Sequence, residues 1–336
     1  MNILIRTSLL LSMISLAACM QTAPTSSSSD KPEWLSGEPD MYPNFKYLSA
    51  TGSSSRPEQA KARALSNLSK IIEVQVREVS TNRQDIQSFE AGGTETVTRN
   101  RRSDSTVNLK TDTILQGARI AEQWQSSADL THYALAVLDR QQAGNNLRSE
   151  MQRLDDETAY VLEQRRDDSL LAIADLNKAN VLQRDRQTLQ KTMKVIDVRG
   201  QGVPAKWNLA ELVERLSREL RGLPVRTRVA EDDVGGMQSV LQGAASAAGF
   251  NPGSSGYSIV ASVDAVKPFR KDDWYWQRGT LKLELVSADG LTVIGHQSWP
   301  LKVSGSDPGQ LPARMRSEAD RILKTELLET MLGFAG

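Results

Sequence analysis

Adjacent carboxylates occur at Asp155-Asp156, Asp167-Asp168, Asp232-Asp233 and Asp272-Asp273. Two acids facing one cleft at a set separation could hydrolyse a glycan, but most of these pairs read as solvated caps or turns. His132 and His296 stand apart from each other and from the single cysteine, whereas a structural zinc site takes four Cys or His ligands. Each histidine is expected to be a hydrogen-bonded strand residue, and no metal or other cofactor is expected. Gly200-Gln201-Gly202 lacks the remaining spacing of a dinucleotide fingerprint, and no phosphate-loop lysine follows a glycine cluster. Gly253-Ser254-Ser255-Gly256 is one residue short of a nucleophile elbow and reads as a loop. A non-enzymatic protein without a small-molecule substrate is therefore expected, with a cell-wall hydrolase as the rival. The segment from Lys267 to Arg278 is different in kind, since Phe269, Trp274, Tyr275 and Trp276 stand among Arg270, Lys271 and Arg278. Aromatics and arginine are enriched at interfaces. Either alternate aromatics fill a core there, or the segment is a recognition surface for a protein or for peptidoglycan. Phe269, Arg270, Lys271, Trp274, Trp276 and Arg278 are the candidate partner-binding residues.

Cys19 closes the run Leu16-Ala17-Ala18-Cys19, behind Arg6 and an apolar stretch from Ser8 to Leu16. A basic start, a short apolar core and small residues before a cut are the parts of a secretory signal. The stretch is too short to span a bilayer, which takes about 20 apolar residues. An ordinary signal peptide with an accidental cysteine and a buried core thiol are the alternatives. A cysteine directly after small residues resembles the bacterial lipobox. That resemblance implies that residues 1–18 are removed and that Cys19 becomes the acylated first residue of a membrane-held lipoprotein, with palmitate among its chains. Several chains give stable anchoring, whereas one is marginal. Met20 at the next position is not acidic, which by the same resemblance points to the outer membrane, at its periplasmic face. Residues 19–32, with the serines Ser26 to Ser29 between Pro24 and Pro32, read as a flexible tether.

The chain of 336 residues carries 41 Lys and Arg against 41 Asp and Glu. A formal charge of zero argues against a nucleic-acid binder, whose footprint would be strongly basic. With the only cysteine lipidated, the mature chain forms no internal disulfide, so packed cores must stabilise it. The length suits about two domains.

Phe45 to Ala50 predicts a strand stopping at Gly52. Ser53-Ser54-Ser55-Arg56-Pro57-Glu58 then supplies a serine cap, a proline in the first turn and an early acid. Ala60, Ala64, Leu68, Ile71, Ile72, Val76 and Val79 recur at helical spacing. Residues 81–105 are polar and read as a mobile hairpin or loop, Val107 to Leu115 alternates as a strand, and Tyr133 to Leu138 suits a strand buried on both faces. Trp34 with Gly37, the Tyr42-Pro43 pair, Tyr47-Leu48 ahead of Gly52, and the alanine-rich helix from Glu58 resemble the LPP-twenty-like bacterial lipoprotein family over roughly residues 33–140. The resemblance implies an envelope lipoprotein domain of the kind found in surface and flagellum-associated proteins, and it carries no catalytic signature.

Residues 141–199 read as a helical connector. Leu147, Met151, Leu154, Thr158, Val161 or Leu162, Leu170, Leu171 and Ala174 mark a long charged helix with a narrow apolar stripe, interrupted at Arg165 to Asp168. A second helix through Leu182, Leu189, Met193 and Ile196 is expected to fold back on it as a helical hairpin. Either a solvated spacer or a partner-binding or self-association helix is expected. In 200–336, Leu209 to Leu220 predicts a helix ending at Gly222 and Pro224. Val225 to Val229 predicts a strand, Met237 to Ala248 a helix stopping at Gly249, and Tyr257 to Ala265 a strand. A hairpin turns at Asp289-Gly290, and a last helix follows Pro312. This order is similar to the periplasmic α/β domains of curli-secretion and penicillin-binding-protein-activator lipoproteins. The expected fold is α+β: two α/β-type domains, each a small mixed or antiparallel sheet packed with helices, joined by a long helical segment. The expected function is a binding or assembly module of the cell envelope. Its partners would be the membrane, through lipidated Cys19, and an envelope protein or a second copy. Activation of a peptidoglycan synthase is the runner-up.

Overall fold

The computed structural model describes residues 31–37, 40–87 and 117–335. Cys19, the signal segment, most of the tether and the strand expected at 107–115 lie outside the described residues. The fold is α+β, with one sheet in each half of the chain.

The N-terminal sheet has the order β1-β3-β2, all antiparallel, from β1 (Tyr47–Ser54), β2 (Ala118–Gln125) and β3 (His132–Asp139). Helix α1 (Pro57–Gln87) lies on one face. It packs Ala60, Ala64, Leu68, Ile72 and Val76 against Leu48, Ala50, Ala134, Ala136 and Leu138. The other face of β3, carrying Leu135 and Val137, is covered by Tyr42, Trp34 and Tyr47, so this strand is buried on both sides. Gly52 is not the end of β1. The strand continues to Ser54, and an added Cβ at Gly52 would stand 2.2 Å from the Ala64 amide nitrogen. Its missing side chain is what lets α1 lie on the sheet. The polar residues 81–87, expected in a loop, extend α1 instead. Strand β2 escapes the alternation rule because a bulge between Ile120 and Glu122 shifts its register, which breaks the period of two that marks a strand.

The long helix expected after residue 140 is two helices. Helix α2 (Arg140–Glu163) and helix α3 (Ser169–Ile196) form a hairpin that turns at residues 164–168. The Asp168 carboxylate caps α3 by accepting hydrogen bonds from the Leu170 and Leu171 amides, at 2.8 and 3.0 Å. The charged residues that interrupt the apolar stripe are thus the turn itself. The hairpin is not a solvated spacer. Ala143, Leu147, Met151, Leu154 and Val161 of α2 join Leu182, Leu189, Met193 and Ile196 of α3 in the N-terminal core. Leu170, Ile173 and Leu176, at the start of α3, belong to the C-terminal core. The stripe that would have served self-association is used internally.

The C-terminal sheet runs β5-β4-β6-β8-β7, with β9 along the other edge of β8. Its strands are β4 (Pro224–Asp232), β5 (Asn251–Pro252), β6 (Tyr257–Ala265), β7 (Phe269–Lys271), β8 (Trp274–Val286) and β9 (Val293–Gly305). Strands β4, β5 and β6 are parallel and the others antiparallel. The helices α4 (Leu209–Gly222), α5 (Met237–Ala247) and α6 (Leu311–Ala335) contribute Leu216, Leu241, Leu323 and Leu327 to one core with Ile259, Ala261, Val263, Leu281, Leu283 and Leu285. The hairpin expected at Asp289-Gly290 is present, with Gly290 at φ 78°, but its loop spans residues 287–292. Ser287 and Asp289 fasten that loop through hydrogen bonds to the Thr292 and Leu291 amides, at 3.0 and 2.9 Å.

Candidate interaction surface

The Lys267 to Arg278 segment folds as a β-hairpin at the edge of the C-terminal sheet. Its two-residue turn, Asp272-Asp273, has both residues at positive φ, 52° and 61°, the backbone of a tight turn that matches strand twist. Aspartate is among the few non-glycine residues that visit this region readily. The register pairs Phe269 with Trp276, Arg270 with Tyr275 and Lys271 with Trp274. By strand alternation, Phe269, Lys271, Trp274, Trp276 and Arg278 share one face. Arg270 lies on the opposite face with Tyr275.

These aromatics do not fill a core. None of Phe269, Trp274, Tyr275 and Trp276 joins a hydrophobic core. Trp274 is 49% exposed and Phe269 39%. Three of the rings have a cation over them. The Arg278 guanidinium lies 5.6 Å from the Phe269 centroid, Arg270 lies 5.9 Å from Tyr275, and the Lys302 ammonium lies 4.8 Å from Trp276. At exposed sites such contacts contribute about 0.5–1 kcal/mol each, so they orient the side chains more than they stabilise the fold. Arg270 also meets Asp273 at 2.7 Å, both largely exposed, a pair worth little by itself. Beneath the hairpin, the Gln277 amide donates to the Val266 carbonyl at 3.2 Å.

Lys302 is absent from the residues legible in the local sequence, because it comes from β9. It reaches the patch through the β8–β9 ladder, where Arg278 stands opposite Lys302 and Trp276 opposite Ser304. Only that register, set by the loop at 287–292, would have revealed it.

The acidic pairs are engaged in local structure. Asp232 accepts from the Met237 amide at 2.9 Å and Asp233 from the Ala265 amide at 2.8 Å. Asp168 caps α3, and Asp272-Asp273 makes the turn. Asp155 departs from the solvated role expected of it. It is buried in an ion pair with Arg186 at 2.8 Å, accepts from Gln183 at 3.0 Å, and holds the α2–α3 hairpin together. His132 lines a cavity of about 190 Å³ with Pro57, Gln123, Trp124, Gln125 and Tyr133. His296 is exposed on β9, opposite Glu284. Among the described residues no group of three or more His, Cys, Asp or Glu could hold a metal ion, and no helix is long and apolar enough to cross a membrane.

Residues 32–139 match the family model of the LPP20 lipoprotein. The motif residues have structural roles: Trp34, Tyr42 and Tyr47 cover the second face of β3, and Gly52 admits α1. No curated protein matches the chain. Among solved structures, a secreted protein of the human pathogen Helicobacter pylori is 14% identical, with a TM-score of 0.43 over 84% of this chain and 98% of that one. A candidate lipoprotein from Caulobacter crescentus is 16% identical, with a TM-score of 0.24 over 33% of this chain and 87% of that one.

Proposed function

We propose that this chain, whose residues 32–139 match the model of the LPP20 lipoprotein, is a non-enzymatic outer-membrane lipoprotein that captures an envelope protein with its C-terminal domain. Acylated Cys19 holds it at the periplasmic face. The reading rests above all on the β7–β8 hairpin, which exposes Trp274 and Phe269 outside every core while cations cover Trp276 and Phe269. Exposed aromatics flanked by arginine are the groups that dominate binding energy when a partner desolvates them. The mechanism is tethering. An anchor confines the hairpin near the membrane and raises its effective concentration for partners within reach.

Two measurements test this reading. Cys19→Ser should move the protein from the membrane to the soluble fraction, and mass spectrometry of the mature N-terminus should find acyl chains on wild type alone. Affinity capture of detergent-extracted wild type should retain a protein that a folded Trp274→Ala, Trp276→Ala variant loses. A flagellar component among the retained proteins would place the module at the flagellum. Equal capture by both proteins would remove the hairpin from the mechanism.

A further inference from the structure

The C-terminal sheet has helices on one face only. The core-facing residues of its central strands are Ile259, Ala261, Val263, Leu281, Leu283 and Leu285, which pack against α5 and α6. Strand alternation turns the intervening residues the other way, and among the described residues no element covers them. Val260, in the middle of that second face, is buried but belongs to none of the hydrophobic clusters. The register places Arg226, Arg228, Lys271, Arg278, Lys282 and Lys302 there, against Glu231, Asp264 and Glu284. On a chain with a formal charge of zero, this face carries an excess of cations. None of the six is held in an ion pair among the described residues, while Arg153, Arg166, Arg186 and Arg321 elsewhere all are. Arg278 and Lys302 stand directly opposite each other on neighbouring strands. Like charges so placed are destabilising, and an anion laid between them would relieve that repulsion.

We infer that this uncovered face binds the carboxylate-bearing glycan of the cell wall, with the cations taking the carboxylates and Trp274 stacking on a sugar ring. The inference rests on the envelope placement proposed above and shares Trp274 with protein capture by the hairpin, from which charge substitutions that leave Trp274 in place separate it. Six cations against three carboxylates favour an anionic ligand. Ser258, Ser262 and Thr280 flank Val260 in the middle of the face, and its large aromatics are confined to the β7–β8 end. The β8–β9 ladder is 13 residues long in each strand and twists along its length, so its cations follow a curved path that suits a chain better than a flat bilayer. Asp272 and Asp273 at the exposed hairpin tip would repel an anionic bilayer. Trp274 is half-exposed and has no cation over its ring, unlike Trp276 and Phe269, so its face is open to the apolar side of a sugar.

The test sediments the unacylated Cys19→Ser chain with purified insoluble cell-wall sacculi, with phosphatidylglycerol vesicles and with polyglutamate-coated beads. The expected result is co-sedimentation with sacculi at low salt and release as salt screens the charges. Arg228→Glu, Lys282→Glu, Lys302→Glu together should cut the bound fraction roughly tenfold or more, since reversing charges opposes an anionic partner outright. The milder Lys282→Gln, Lys302→Gln variant should lower it severalfold with the thermal midpoint unchanged, which separates lost binding from lost fold. Wild type left in the supernatant, or a triple variant that sediments like wild type, would overturn the inference. So would a preference for vesicles, which would make the face a membrane surface, or for polyglutamate, which would make it a reader of acidic protein. If sacculi binding fails while capture still depends on Trp274 and Trp276, the protein-binding reading survives alone. If sacculi bind and capture fails, the reverse holds.

Discussion

Two residues show how much a single atom decides here. At Gly52 an added methyl would meet the Ala64 nitrogen at 2.2 Å and the Ala60 oxygen at 2.6 Å. Both are backbone atoms of α1, so the helix must lift off the sheet. Gly52→Ala is expected to cost at least about 1–3 kcal/mol, the usual range for overpacking, measured as a lower urea midpoint. In the sequence this glycine looks like the end of a strand, because a turn and a close approach of two backbones both call for glycine. Tyr257 is the second case. Its hydroxyl donates to Asp168 at 2.9 Å, joining β6 to the cap of α3. Burial, then this bond and the Asp168 charge, push the phenol up from 10 to about 12. The folded state therefore holds the phenolic proton more tightly than the unfolded chain does. The resulting stability is complete below pH 10 and is lost as pH rises through about 12. Tyr257→Phe should cost about 1 kcal/mol near neutrality, a value reduced for partial exposure. Between pH 10 and about 12 the wild type should lose that advantage over the variant, which urea denaturation across the range checks.

At the scale of elements, the α2–α3 hairpin is held by a buried polar network that helical periodicity does not reveal. Arg186 is 3% exposed and Asp155 7% by side chain. Gln183 donates to both Asp155 and Thr158, at 3.0 and 2.9 Å, and Arg186 reaches the Pro204 carbonyl at 2.7 Å. Trp207 donates to the Asp155 carbonyl at 3.3 Å, so the segment leading into α4 is fastened to the same network. Removing one partner of such a pair strands a buried charge. Asp155→Ala or Arg186→Ala should cost about 3–5 kcal/mol in urea unfolding, whereas Asp155→Leu with Arg186→Met should recover much of it. Regular elements were the legible ones. The strand at 257–265, the helix from Leu209 to Gly222 and the last helix carry clean periods and stop signals in the sequence, and they fold as those predict. The Asp272-Asp273 turn was not legible, since paired acids look like a cap, and positive φ is signalled locally by glycine or asparagine more than by aspartate. Half of the candidate surface was readable for the same reason. Its aromatics lie in one segment, but the cations that complete it arrive from β4 and β9 through strand pairing, which no local pattern encodes.

For the whole molecule, the consequence of α3 is mechanical continuity. One helix supplies Ile173 and Leu176 to the C-terminal core and Leu189 and Met193 to the N-terminal core. At its far end, the Val195 and Ile196 carbonyls accept from Arg140 at 2.9 and 3.0 Å, where β3 passes into α2. Neither sheet can lose its helical cover without disturbing the other, so the chain should unfold in a single transition despite its two sheets. Ile173→Ala and Leu189→Ala each delete a buried side chain, at about 2–5 kcal/mol. Each should lower the one midpoint seen by calorimetry, by helical circular dichroism and by tryptophan fluorescence, although the two residues sit in different cores. Two separated transitions, with each substitution moving only its own, would mean that α3 frays between the cores and that the halves are independent. The single-transition outcome has a functional meaning as well. A load placed on the C-terminal sheet by a bound partner would then pass through α3 to the N-terminal sheet without a flexible joint among the described residues.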